Sequence, residues 1–169
     1  MFIIERYERQ LFAYIKRLMK ISDGDAEDIL QEVFIKTYEN LNDFDRDLKF
    51  SSWIYRITYN HTISYYRKNK AKLQMLSLED NEIIFEKLRS EFNLTESIDK
   101  KILKEKIQEL LDQLDKKYKD VLILKYLEEK NYTEISNILR KPMGTIATLL
   151  NRAKDKFREI LANNHFKYE

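Results

Sequence analysis

The sequence predicts an all-α protein of two small helical domains joined by an acidic linker, the second domain ending in a helix-turn-helix. Three observations carry this expectation. Only two Gly and one Pro occur in 169 residues, so few positions interrupt a helix. Apolar residues recur three and four positions apart through most of the chain. Between about residues 77 and 99 that periodicity fades and acidic side chains dominate.

Residues 3–20 place Tyr7, Leu11, Tyr14, Ile15 and Leu18 at helical spacing. The stretch ISDGDAED then breaks the helix and offers Ser22, Asp23 and Asp25 as N-caps for the next one. From Ala26 to Leu41 one apolar stripe runs through Ala26, Ile29, Leu30, Val33, Phe34 and Leu41. Asp28, Gln31, Glu32 and Glu39 fall on other faces. Residues 42–52 (NDFDRDLKFSS) are expected to form a loop, and a third helix spans about 51–70. At about 100° per residue, Phe50, Trp53, Ile54, Ile57, His61 and Ser64 share its expected inner face. Arg56, Asn60, Arg67 and Lys70 line one flank, and Tyr55, Tyr59 and Tyr66 lie opposite the expected core.

In the linker, Glu79, Asp80, Glu82, Glu86, Glu91, Glu96 and Asp99 face only Lys87 and Arg89. Ile102, Leu103, Ile107, Leu110, Leu111 and Leu114 then form a new stripe. Asp115 is the expected cap of a helix carrying Tyr118, Val121, Leu122 and Leu124. Thr133 is the expected N-cap of the short helix TEISNILR, RKPMG turns, and a last helix runs from about Thr145 to Leu161. Its inward set is Ile146, Leu150, Ala153, Phe157 and Ile160, and its outward set is Thr145, Thr148, Asn151 and Arg152. From Arg140 to Arg158 the cations Arg140, Lys141, Arg152, Lys154, Lys156 and Arg158 oppose one acid in the same span, Asp155. Cations that replace condensed counterions, beside short polar side chains that reach base edges, suit DNA.

Other chemistries find little support. There is no Cys, and the two His, His61 and His165, are far apart, which disfavours thiolate metal sites, metal catalysis and nucleophilic triads. The charged segment MFIIERYERQLF lacks the apolar core of a secretory leader, and no apolar run approaches the roughly 18 residues of a membrane span. The net charge of +2 says little about partners; its distribution says more.

Three segments carry a family resemblance. AEDILQEVFIKTYENL (26–41), FSSWIYRITYNHTISYYRK (50–68) and YTEISNILRKPMGTIATLLNRAK (132–154) resemble, in order, extracytoplasmic-function (ECF) sigma factors of the sigma-70 family, which carry regions 2 and 4 only. A helix-turn-helix alone has low specificity; the three segments in order around an acidic linker are far more specific. The resemblance implies an RNA polymerase sigma factor that directs promoter recognition and transcription initiation. It implies no catalysis and no cofactor or metal. The implied partners are core RNA polymerase (β′ clamp and β flap), promoter DNA (−10 and −35 elements) and an anti-sigma factor, in the cytoplasm without membrane insertion. Region 2 would occupy 1–72, the linker 73–102, and region 4 residues 103–165, with the linker threading the RNA-exit channel.

The resemblance also implies site residues. Asp28, Gln31 and Glu32 correspond to the polymerase-binding face. Trp53, Arg56, Tyr59, Asn60, Arg67 and Lys70 correspond to the −10 contacts. Arg140, Lys141, Thr145, Thr148, Asn151 and Arg152 correspond to the −35 contacts. From residue type alone, the first set more often reads as a solvated helix face, and Trp53 as core. Exposed Tyr beside Arg and Lys suits unstacked bases and phosphates, or else covers a neighbouring helix. His61, without a second ligand nearby, reads as a core or capping residue.

The chain departs from its family in places. GTIATL stands where the family usually has GTVKSR, so Ala147 replaces a Lys and Leu149 an Arg. Arg140 occupies a turn position where the family often has Gly, and Ser64 replaces an Asp late in the −10 helix. These changes bear on −35 preference and leave the polymerase-binding segment untouched. Two other classes share parts of the pattern. A helix-turn-helix regulator would bind duplex DNA without polymerase, and a helical anti-sigma or adaptor protein would lack a basic terminal helix.

Overall fold

A computed structural model describes residues 2–69 and 107–164. Among them every regular element is helical. They form two compact units, one built on residues 2–69 and the other mainly on 107–135 and 141–164.

In the first unit α1 (Phe2–Leu18), α2 (Asp23–Glu39) and α3 (Phe50–Asn69) pack pairwise around one core. The turn between α1 and α2 is closed by Lys16, whose Nζ donates to Ile21 O and to Asp23 Oδ1, each at 2.7 Å. Of the three candidate caps, Ser22 is the N-cap: its Oγ accepts from Asp25 N at 3.1 Å. Leu11, Tyr14, Ile15 and Leu18 of α1 meet Ala26, Ile29, Leu30 and Val33 of α2 in the buried set, as the spacing predicts. Thr37 takes the last buried place on α2; Leu41 lies beyond the helix in a 3-10 turn (Leu41–Asp43) and is exposed.

The inner face of α3 differs from the expected one. Ile54, Tyr55, Thr58, Thr62 and Ile63 are buried, whereas Ile57 and His61 are half-buried and Ser64 is exposed. The observed face is turned by about one residue step, roughly 100°. Two features cause this. Thr58 and Thr62 point inward because their hydroxyls donate to carbonyls one turn back, Ile54 O at 2.9 Å and Thr58 O at 2.8 Å. A hydroxyl satisfied in this way buries like a methyl. Phe50 and Trp53 instead belong to a satellite aromatic cluster with Phe44 and Tyr7, with ring centroids 5.1–5.8 Å apart. Tyr55, expected outside, is only 1% exposed, its ring 4.9 Å from that of Tyr14.

In the second unit residues 107–112 end a helix (α4) that buries Ile107, Leu110 and Leu111. Next come α5 (Lys116–Leu122), a π-helical turn (Ile123–Leu127), α6 (Tyr132–Leu139) and α7 (Met143–Asn163). Asp115 does stand at the N-cap of α5, but its backbone carbonyl, not its side chain, accepts from Tyr118 N and Lys119 N. In the wide turn Glu128 N donates to Ile123 O at 3.0 Å, which lets Val121, Leu122, Ile123 and Leu124 all be buried in succession. α5 packs along α7, which buries Ile146, Leu150, Ala153, Phe157 and Leu161. Leu161, not Ile160, is the last inward residue.

The cap of α6 is also corrected. It is Asn131, not Thr133: Asn131 Oδ1 accepts from Glu134 N, and Glu134 Oε2 accepts from Asn131 N, both at 2.9 Å. This reciprocal box satisfies two end donors where a Thr133 cap would satisfy one. Lys70, the acidic stretch 77–99, Ile102 and Leu103 lie outside the described residues.

Candidate nucleic-acid interface

Helix α2 has two opposed faces. Its core stripe is matched on the far side by Asp28, Gln31, Glu32 and Ile35, an i, i+3, i+4, i+7 set, and all four are exposed. Ile35 is 56% exposed and nearby Tyr38 is 82% exposed. Two apolar side chains outside the core stripe are the signal that sequence inspection passed over; they make this face more than a solvated one. Glu32 Oε2 lies 2.6 Å from Nε2 of His61, so the expected core histidine instead ties α2 to α3 at the rim of the bundle.

Helix α3 turns a second polar face away from the core. Asn60 and Arg67 are exposed and Arg56 is half-buried on the same side. A groove between this face and the end of α2 is lined by the cations Lys36, Arg56 and Lys68, the acids Glu32 and Asp43, and Asn40, Trp53, Asn60 and His61. Trp53 is 6% exposed and forms part of the groove wall from within the aromatic cluster, so its ring is held by Phe44 and Phe50 rather than offered to solvent. Tyr59 is half-buried at the helix edge. A cationic groove with one amide aimed outward can hold a phosphate chain and present both a donor and an acceptor to a base edge.

On α7, Thr145, Thr148, Asn151 and Arg152 are exposed as the spacing predicts. Ala147 and Leu149 are half-buried at the margins of the apolar face. The helix begins two residues earlier than expected, at Met143 behind Pro142, and Ile146 N donates to Pro142 O at 3.0 Å. The Thr148 hydroxyl donates to Gly144 O at 2.9 Å. It therefore offers a base its acceptor lone pairs and its methyl rather than its proton. Among the cations of α7, Arg158 pairs with Asp155 at 3.2 Å and Lys156 with Glu159 at 2.7 Å. Positive charge is thus offset over the C-terminal half and concentrated towards the turn, where Arg140 and Lys141 are exposed. Arg140 has φ 51°, a left-handed conformation that side chains other than Gly adopt at a cost.

Further observations concern ligands and relatives. Among the described residues no group of acidic, His or Cys side chains is arranged to hold a metal ion, and no helix is long and apolar enough to cross a membrane. Residues 3–72 match the model of sigma-70 region 2 and residues 104–157 that of sigma-70 region 4. The chain is 32% identical to the ECF RNA polymerase sigma factor SigW of Bacillus subtilis, over 94% of this chain and 87% of that one. It is 26% identical to the ECF RNA polymerase sigma-E factor of Escherichia coli K12, over 90% and 81% of the two chains. Among solved structures it is similar to the sigma factor RpoE in complex with the anti-sigma factor NepR from Bartonella quintana, with a TM-score of 0.70, 19% identity and 94% of each chain covered. It is likewise similar to CnrH in complex with the cytosolic domain of CnrY, with a TM-score of 0.68, 20% identity and 95% and 86% covered.

Proposed function

This chain belongs to the extracytoplasmic-function sigma factors of the sigma-70 family, and from that premise we propose how its surfaces divide the work of an RNA polymerase sigma factor. Residues 1–72 act as the core-binding and −10 domain, 73–102 as the linker, and 103–165 as the −35 domain.

The outer face of α2 docks on the β′ clamp. Ile35 supplies an apolar centre, and Asp28, Gln31 and Glu32 set register against a basic partner surface. The groove on α3 captures the non-template strand of the −10 element. Asn60 reads one flipped base, Arg56, Arg67 and Lys70 hold phosphates, and Tyr59 flanks the strand. Trp53 stiffens the wall. Trapping an unstacked base offsets the few kcal/mol that unpairing costs, so capture itself drives melting.

Helix α7 enters the −35 major groove. Asn151 favours adenine and Arg152 guanine through bidentate bonds, each discriminating by roughly 1–3 kcal/mol. Thr145 and Thr148 discriminate less. Arg140 and Lys141 fix register on phosphates. The same domain rests on the β flap. The polymerase supplies the phosphodiester chemistry, and this chain supplies promoter choice.

The observation that carries this reading is the exposure of all four outward residues on α7 beside the concentrated charge of the turn. The sigma factor RpoE of Bartonella quintana is in complex with an anti-sigma factor, which supports a partner of that class here, acting in the cytoplasm and keeping the free protein off DNA. The test is reconstitution: the protein is added to core polymerase and the transcripts made from host genomic DNA are sequenced. Discrete start sites behind a shared −10 sequence are expected. Transcripts no different from those of core alone would refute the proposal, as would core binding unchanged in Asp28→Lys/Glu32→Lys.

A further inference from the structure

Glu32 and His61 join two surfaces assigned above to different partners. Glu32 sits on the outer face of α2; His61 follows Asn60 on α3. Their side chains meet at 2.6 Å, between Oε2 and Nε2. The histidine side chain is 16% exposed and the glutamate 61% exposed, so a nearly enclosed imidazole lies against an otherwise solvated carboxylate. A carboxylate has two oxygens and about four acceptor positions. The contact with His61 occupies one oxygen and leaves the group able to accept from a partner at the other.

A glutamate on an exposed helix face loses considerable rotamer freedom when it is fixed by a binding partner. Here that loss is taken in the folded protein, before any partner arrives. We infer that His61 is a positioning residue for core-polymerase binding: it acts through Glu32, holding the carboxylate in its docking geometry rather than contacting the polymerase itself. The inference rests on the assignment of the outer α2 face to polymerase. Among the described residues, neighbouring Asp28 and Gln31 have no such tether, which makes Glu32 the preorganised member of the set.

The atoms involved make the inference specific. The contacting atom is Nε2, at the far end of the imidazole. The Gln amide nitrogen reaches about as far from the backbone as Nε2, and the Asn amide nitrogen only about as far as Nδ1. His61→Gln should therefore keep the tether and His61→Asn should break it.

The experiment uses the full chain, fluorescently labelled and titrated with core polymerase, in five forms besides wild type: Glu32→Ala, His61→Ala, the double variant, His61→Gln and His61→Asn. Thermal melts of each free protein monitor folding. A roughly three- to tenfold loss of core affinity is expected in Glu32→Ala, since fixing a long side chain and losing a charge contact together span about that range at tenfold per 1.4 kcal/mol. His61→Ala and His61→Asn should each lose a smaller part of it, His61→Gln should stay within about twofold of wild type, and the double variant should bind no more weakly than Glu32→Ala. A His61→Ala loss that persists undiminished in the Glu32→Ala background would overturn the inference and leave the α2 assignment standing. Full core affinity in Glu32→Ala would remove Glu32 from the interface and the inference with it. A His61 effect that tracks melting temperature across all three His61 variants would make the residue structural only and so also overturn it.

Discussion

Tyr65 donates its hydroxyl proton to Oδ1 of Asp25 at 2.6 Å, across forty residues of sequence. The other oxygen of Asp25 accepts from the Ser22 hydroxyl at 2.6 Å. One carboxylate thus holds the Ser22 cap of α2 and pins α2 to the end of α3. The bond to Asp25, then burial, then the nearby charges of Asp25, Asp28 and Glu32 push the Tyr65 phenol from its ordinary 10.0 up to about 12.

Tyr65→Phe should destabilise the first unit by about 1–2 kcal/mol, the low end for a bond to a charged acceptor because the site is only half-buried. The pH dependence has a definite sign. A phenol whose folded value is raised favours the folded state while it keeps its proton. Its contribution is full below pH 10 and is lost as pH rises from about 10 to about 12. Chemical denaturation at pH 8, 10 and 11.5 should show a stability loss in wild type that is smaller in Tyr65→Phe.

Asn131→Ala removes the cap of α6 and leaves Glu134 N without its side-chain acceptor. A loss of about 1 kcal/mol is expected in thermal melts, while Thr133→Ala should cost less than half of that.

Arg140→Gly should act in opposite directions on stability and binding. Left-handed geometry costs a residue other than Gly about 1–2 kcal/mol, and the greater freedom of Gly in the unfolded chain takes back about half of that. A net gain of about 0.5–1 kcal/mol in stability is expected. Loss of one phosphate contact should lower the salt slope of holoenzyme binding to a −35 duplex by about 0.9. An unchanged slope with raised stability would show that Arg140 does not touch the backbone.

Asn60→Ala and Arg152→Ala should separate the two promoter elements. The first should reduce permanganate reactivity of the melted −10 region and relax preference at one −10 position. The second should leave melting intact and cost roughly 1–3 kcal/mol of discrimination at one or two −35 positions. A promoter library transcribed by each holoenzyme measures both.

Thr58→Val tests the turned face of α3. The hydroxyl is bonded to a carbonyl of its own helix, so its removal should change stability by no more than about 0.5 kcal/mol. Thr58→Lys should unfold the unit, because position 58 is fully buried.

The α1 and α2 stripes were legible because their buried positions are aliphatic or aromatic and hold one period over several turns. So was the outward face of α7, where Thr145, Thr148, Asn151 and Arg152 stand clear of Ile146, Leu150, Ala153 and Phe157. On α3 the same logic failed because polarity was taken as a sign of exposure. Thr58 and Thr62 spend their polarity on their own backbone, while Phe50 and Trp53 serve a loop aromatic, Phe44, that no helical period includes. The Asn131–Glu134 box was readable as N-x-x-E but was masked by Thr133, a stronger-looking cap two residues on. The Glu32–His61 and Asp25–Tyr65 links were not readable, because both depend on how α2 and α3 lie against each other.

The wide turn at Ile123–Leu127 bears on how the chain tolerates a change of length. A π turn spans one residue more per backbone bond than an α turn, so it behaves as an insertion already absorbed. Lys125 and Tyr126 are its half-buried members, while Ile123, Leu124 and Leu127 are core. Deleting Lys125 lets the backbone close into ordinary α geometry, with the loop at 128–131 taking up the difference. The same deletion at Ala147 would swing Asn151 and Arg152 by about 100° relative to Thr145 and strip α7 of its coherent outer face. A deletion is therefore tolerated upstream of α7 and not within it, which marks the turn as the place to shorten this protein without disturbing the outward face of α7.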